Sequence, residues 1–477
     1  MDQPKNKPLL HRTSLKAHFR CRGVYVTPFN RLPNLYPVHW FQDWAPEYLW
    51  MGLIIRHLGR NEGMANCWVC LKKIREINGG VVRPEWSWIL GLPEEIQKVF
   101  LAMVVHLCGV DSLSPLTCLY TLSKAPLFAQ VFQTDHPLKN RIATIEETLK
   151  EMSDHQSPLS TDIRYIIVFC RCSGRQYSFE EGSPTFVALA NYPKTDHQDP
   201  IMPFYATTIR SMETAMRTDK PINRAFVQTF WDDLYGLEDC HIATMKFKKE
   251  NEGATEFIAK IEQGLDYYRE LLTSKGPLNA KDQVLFGLAT FGFKRCKEVV
   301  EHDLYNTVSG RSDIRGLIEV YLTMVDLLKK EDKHPSIYED FQLYGLGQFK
   351  VVVAAARESK EDLDSSHVFY PFLEGIVNEY RDEEFLNVDF RYFENERIRD
   401  KFNDCGKIDL YSLKYNYDSS YEHALWGAVR ESSLLECTDA GHQYHQVPDI
   451  GDVENLKSVW PDCREMMSSI MDVLASC

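Results

Sequence analysis

The chain lacks most of the features that announce a function. No stretch reaches the roughly 18 uninterrupted apolar residues of a membrane span, so no spanning helix is expected. The N-terminus, MDQPKNKPLLHRTSLKAHFRCRG, is basic but has no long apolar core, so no secretory signal is expected. Positive charge is not in excess: 54 Lys and Arg stand against 68 Asp and Glu, giving a net charge of −14. That balance disfavours broad, non-specific nucleic-acid binding, which wants a basic surface, and leaves only a local basic groove open. No period of roughly 20–50 residues repeats, which argues against a solenoid. There is no phosphate loop and no nucleophile motif.

Cysteine is present, 13 in all, but in no framework. The odd number and apolar surroundings suit reduced, mostly buried thiols of a cytoplasmic protein. Cys67-Trp-Val-Cys70 and Cys170-Arg-Cys172 look like zinc half-sites. Neither has a partner pair at the usual spacing, and both lie in helix-like runs, so core packing is the better reading.

What is there is helix. The length of 477 residues and a hydrophobic fraction of 44% suffice for two domains. The spacing predicts an all-α fold made of two helical bundles. The first, 1–250, begins with an extended aromatic-rich leader punctuated by Pro28, Pro33 and Pro37, which Trp40 and Trp44 pin to the body. PEYLWMGLIIRHLGR (46–60) is apolar nearly all round and reads as a central helix. STDIRYIIVFCRCSG (160–174) is ambiguous between strand and helix; a Ser160 or Thr161 cap and Gly174 as terminator favour helix. KKENEGA (248–254) is the boundary, and 254–477 is the second bundle. RSDIRGLIEVYLTMVDLLKKE (311–331) is its clearest helix, with Ile314, Leu317, Ile318, Tyr321, Met324, Val325 and Leu328 on one face.

The chemistry concentrates between Asp409 and His445. At helical spacing Ser419, His423, Trp426 and Arg430 form one stripe, flanked by the small residues Ser420, Ala424 and Gly427. Close approach of another helix would bury that stripe, as a satisfied polar network or as the wall of a pocket. Arg311, Arg315 and Glu319 run along one line of the 311–331 helix and are expected to meet His423. Further on, His442 and His445 stand three apart between Gly441 and Pro448, in a loop or short turn. Two ligands fall short of a metal site, so neither a metal nor another cofactor is expected.

The order RSDIRGLIEVYLTMVDLL, FQLYGLGQFK, DLYSLKYNYDSSYEHALWGAVRES and C…GHQYHQVP resembles an uncharacterised bacterial family of all-helical proteins with a C-terminal domain of unknown function. The resemblance covers roughly residues 255–450, and its most specific piece is Ser420, His423, Trp426 and Gly427. Such proteins loosely resemble components of anti-phage and abortive-infection systems. The resemblance therefore implies a cytoplasmic sensor or interaction module that meets a protein partner or phage component.

Two other functions stay open. One is a metal-independent ribonuclease with RNA as substrate. There His423 would be general acid or base, Arg315 or Arg430 would steady the phosphorane, and Glu319 or Asp409 would orient the imidazole. Helical ribonucleases of the HEPN type place arginine before histidine on one helix; here His423 precedes Arg430. The other is a binder of a small anionic nucleotide, with Arg311 among the clamps, Tyr421 or Trp426 stacking, and His442 and His445 nearby. Pairing into homo-oligomers through exposed apolar helix faces fits any of these.

Overall fold

The computed structural model describes residues 15, 18–27, 38–173, 179–216, 222–237, 239–244, 246–359, 366–391, 397–443, 445–451, 453 and 455–476. Pro28, Pro33 and Pro37 of the leader, and Gly174, lie outside them. The fold is predominantly all-α, with only small sheets among the described residues. It divides into two compact units: Met1–Ala243 with Glu436–His445, and Thr244–Leu435 with Gln446–Cys477. No described helix is long and apolar enough to cross a membrane.

In the first unit a hairpin of β1 (Phe19–Cys21) and β2 (Val24–Val26) precedes the helices. α1 (Ala45–Leu58) is buried from Ala45 through Ile55, as its all-round apolar surface requires. It packs against α2 (Arg60–Ile77), which follows after a single glycine. Trp50 is 1% exposed; it meets Trp86 at 5.9 Å and donates its indole N–H to the Pro84 carbonyl at 3.0 Å. Trp40 is buried too, its indole donating to the Met152 carbonyl and the Ser160 hydroxyl, both at 3.1 Å. Around α1 stand α3 (Glu94–Cys108), α4 (Leu138–Ser153), α5 (Pro158–Ser173) and, beyond α6 (Met202–Ala215), which packs on α5, α7 (Arg224–Tyr235). α5 is the segment ambiguous in sequence; tertiary burial of Ile163, Ile166, Ile167 and Val168 on a helix decides it. Cys67 and Cys70 are buried in this core. After α7 comes the two-residue strand β3 (Ile242–Ala243).

α1 and α2 cross with almost no space between backbones. A Cβ on Gly63 would stand 2.5 Å from the Ile55 Cα. Gly63→Ala is therefore expected to push the helices apart and to cost about 2 kcal/mol by overpacking. Urea unfolding of the full chain measures this; an unchanged midpoint would refute the close crossing.

The second unit is built on α8 (Ala254–Thr273), α9 (Ala280–Glu301), α10 (Val308–Lys330) and α11 (Ile337–Glu358), followed by α12 (Asn416–Glu422), α13 (Trp426–Ser433), β4 (Leu434–Cys437) and α14 (Trp460–Ala475). α10 is central. Ile314, Leu317, Ile318 and Met324 on it are at most 2% exposed, and Thr307 caps its start by accepting the Gly310 N–H at 3.0 Å. Strand β4 straddles the boundary in sequence. Its last two residues belong to the first unit, where Cys437 pairs with Ile242 and Glu436 with Ala243.

Candidate metal centre

The β3–β4 pairing brings together two segments of the first unit that are far apart in sequence. Cys240 lies just before β3; Cys437 ends β4; His442 and His445 follow in the loop. Their four donor atoms all lie within 4.8 Å of one another. Cys240 Sγ is 3.1 Å from His445 Nδ1, and Cys437 Sγ is 3.4 Å from His442 Nδ1. A tetrahedral zinc with two sulfur and two nitrogen ligands needs donor separations of roughly 3.3–3.8 Å, close to what is already present.

The loop is held in shape by its backbone. Cys437 N–H donates to the His445 carbonyl at 2.9 Å, and Thr438 N–H to the His241 carbonyl at 3.0 Å. Asp439 accepts both the His241 backbone N–H, at 3.0 Å, and its imidazole Nδ1 at 2.9 Å. On the other side Glu146 of α4 clamps the turn: its two carboxylate oxygens accept the Ala440 and Gly441 N–H groups, each at 2.7 Å. These are charge-assisted bonds that fix two consecutive amides. The Tyr235 ring packs on His442 at 4.5 Å and on His445 at 5.7 Å between centroids.

Burial first, and then the neighbouring Cys240 sulfur, push the Cys437 thiol up to about 11. A bound divalent ion inverts that preference, because a coordinating thiol is deprotonated outright. His442 is 2% exposed, and its Nε2 is buried with no hydrogen-bond partner. Such an orphan costs about 1–3 kcal/mol; the nitrogen that faces the Cys437 sulfur is Nδ1, so a metal held there would leave Nε2–H without a partner. Two thiolates and two imidazoles select zinc among common metals, and four protein donors leave no open position for water or substrate.

The sequence showed two donors here, and the fold brings four together. His442 and His445 were legible as a pair; Cys437, five residues before His442, is a third donor in the same loop that spacing alone could have flagged. Cys240 carries no local signal at all.

The stripe through His423 is corrected. α12 ends at Glu422, Ala424 adopts a left-handed φ of 46°, and a new helix starts at Trp426. His423 therefore does not share a helix face with Trp426 and Arg430. It is exposed, and its imidazole makes no hydrogen bond or ion pair among the described residues. Trp426 is 69% exposed. Asp409 is exposed in the helical turn Ile408–Leu410, and Arg430 lies against the Gln446 amide. Arg315 and Glu319 pair at 3.0 Å, but they meet other partners than His423. Arg315 donates to Ser419 Oγ and Tyr415 Oη, both at 3.1 Å, and Tyr415 donates to Glu319 at 2.8 Å. Arg311 donates to the Lys457 carbonyl at 2.8 Å and lies over the rings of Tyr417 and Tyr421. Tyr421 in turn donates to Glu431 at 2.8 Å. The polar line of α10 is thus a tyrosine-rich network.

Residues 282–442 match the model of a family of unknown function (DUF5677). No curated protein and no solved structure matches the chain. The DUF5677 match takes in the tyrosine network and reaches the metal loop as far as His442, leaving Cys240 and His445 outside it.

Within the matched segment Asp418 stands out. It is 4% exposed, and its Oδ1 has no hydrogen-bond partner. Burial pushes its carboxyl up to about 7, with Asp462 adding to the rise and Arg311, Lys414 and Arg315 opposing it. The folded value lies above the unfolded one, so the penalty is absent below about pH 4, grows as the unfolded chain ionises, and is complete above about pH 7. Stability of this unit should therefore fall between those limits. Asp418→Asn should remove that fall and stabilise the unit at pH 8 by on the order of 2 kcal/mol. Denaturant curves at pH 5 and pH 8 check it; the same loss of stability between the two pH values in parent and variant would refute it.

Proposed function

We propose that this chain is a zinc-binding helical protein in which Cys240, Cys437, His442 and His445 hold a structural ion, and that it acts as an interaction module. The observation that carries the reading is the convergence of those four donor atoms within 4.8 Å. With every coordination position filled by protein, the ion has no place to activate water or polarise a substrate. The exposure of His423, and the engagement of Arg315 and Glu319 by Tyr415, favour a non-catalytic role over a ribonuclease. That the partner is a phage component rests only on the loose resemblance of such uncharacterised helical proteins to anti-phage components, and capture from infected cells tests it.

Metal analysis of the full chain, purified without chelator, tests the zinc itself. The expected content is one zinc per chain, falling by at least about tenfold in Cys437→Ser and His442→Ala. Cobalt substitution should give the intense visible bands of a tetrahedral thiolate site. Metal content unchanged in both variants, or absent from the parent, overturns the proposal.

A further inference from the structure

Cys240 is the exposed member of the donor set, whereas Cys437 is 8% exposed beneath it. Their sulfurs lie within 4.8 Å, and the register that pairs Ile242 with Cys437 holds the two segments side by side. Most other thiols are out of reach of solvent: Cys67, Cys70, Cys108, Cys170, Cys296 and Cys463 are all buried. We propose that Cys240 and Cys437 form an oxidation site at which a peroxide makes a disulfide and expels the zinc. The inference rests on the zinc reading above.

The chemistry balances without any further reactant. Zinc keeps both sulfurs as thiolates at neutral pH, and the thiolate is the nucleophile. Cys240 sulfur attacks one peroxide oxygen; the O–O bond breaks, and the departing hydroxide takes a proton to become water. The resulting sulfenic acid is attacked by the Cys437 thiolate. The S–O bond breaks, a second hydroxide leaves as water, and the S–S bond forms. The cysteine pair loses two electrons and hydrogen peroxide gains them. The sulfurs must close from at most 4.8 Å to about 2.05 Å, a shift the short strand β3 and the exposed segment before it can make. His442 and His445 alone then fall short of the three or four ligands that hold zinc.

The test uses the zinc-loaded full chain, hydrogen peroxide and a chromogenic zinc chelator. One equivalent of zinc should be released as the protein loses the mass of two hydrogens, and digestion should yield a Cys240–Cys437 cross-linked peptide. Thiol reductant with added zinc should restore the starting state. Cys21→Ser, which alters another exposed cysteine, should respond as the parent does, whereas Cys240→Ser should give no cross-link. Zinc retained through peroxide, or released with Cys240 as an uncrosslinked sulfinic acid, overturns the inference. Zinc content measured before peroxide separates the two claims. A chain without zinc sinks the zinc reading and this inference together; a fully loaded chain that forms no cross-link sinks this inference alone.

Discussion

Removing the ion should destabilise the first unit by about 4 kcal/mol. A ligand that binds only the folded state stabilises by RT ln(1 + [L]/Kd), which is about 4.1 kcal/mol at a free concentration 1,000 times Kd. The unit folds around a large aromatic core centred on Trp50 and Trp86, so it should survive metal loss. What it loses is the tie between the segment at Cys240 and the loop 437–445. The expected result is a downward shift in the unfolding midpoint on adding a strong chelator, reversed by zinc. His442→Ala should start from the lowered midpoint and no longer respond to chelator. An equal chelator response in parent and variant would place the effect elsewhere and remove this site as its source.

Gly441→Ala should cost about 3 kcal/mol and weaken zinc binding at least about tenfold. A Cβ at this position would stand 2.3 Å from Glu146 Oε1 and 2.9 Å from Leu234 Cγ. The turn would have to lift off α4 and α7, breaking the two 2.7 Å bonds that Glu146 accepts from Ala440 and Gly441. That leaves a carboxylate and two amides in need of partners, while His442 moves with the backbone. Glu146→Gln separates the contributions: it keeps the shape and loses the charge, so its effect on stability should be about 1–2 kcal/mol. Denaturant midpoints and competitive zinc titration of both variants check this. Gly441→Ala with unchanged zinc affinity would show that the clamp on α4 does not position the ligands.

The helices were legible because their cause is local. The all-round apolar surface of 46–60 demanded burial and the 3.6-residue face of 311–331 demanded a partner; α1 and α10 meet both demands. The stripe through His423 failed for a reason that periodicity cannot register. A non-glycine residue at Ala424 turns left-handed, and the Leu425 N–H bonds back to the Ser420 carbonyl at 2.9 Å, so a pattern continuous in sequence is interrupted in space. The arginines and glutamate of α10 were rightly seen as one line, but phenol groups two turns away were better placed to receive them than the imidazole.

By itself, then, the amino-acid order determined an all-α fold, the amphipathic faces of its long helices and the His442/His445 pair of the candidate metal loop, with Cys437 within readable spacing of it. The fourth donor depended on tertiary structure, because Cys240 stands 205 residues before His445 and nothing in its neighbourhood distinguishes it from a packing cysteine. Strand pairing of Ile242 with Cys437, the Glu146 clamp and the space that only Gly441 fits bring that sulfur to the histidines. Coordination needs convergence within a few ångströms, and convergence is a property of the folded chain.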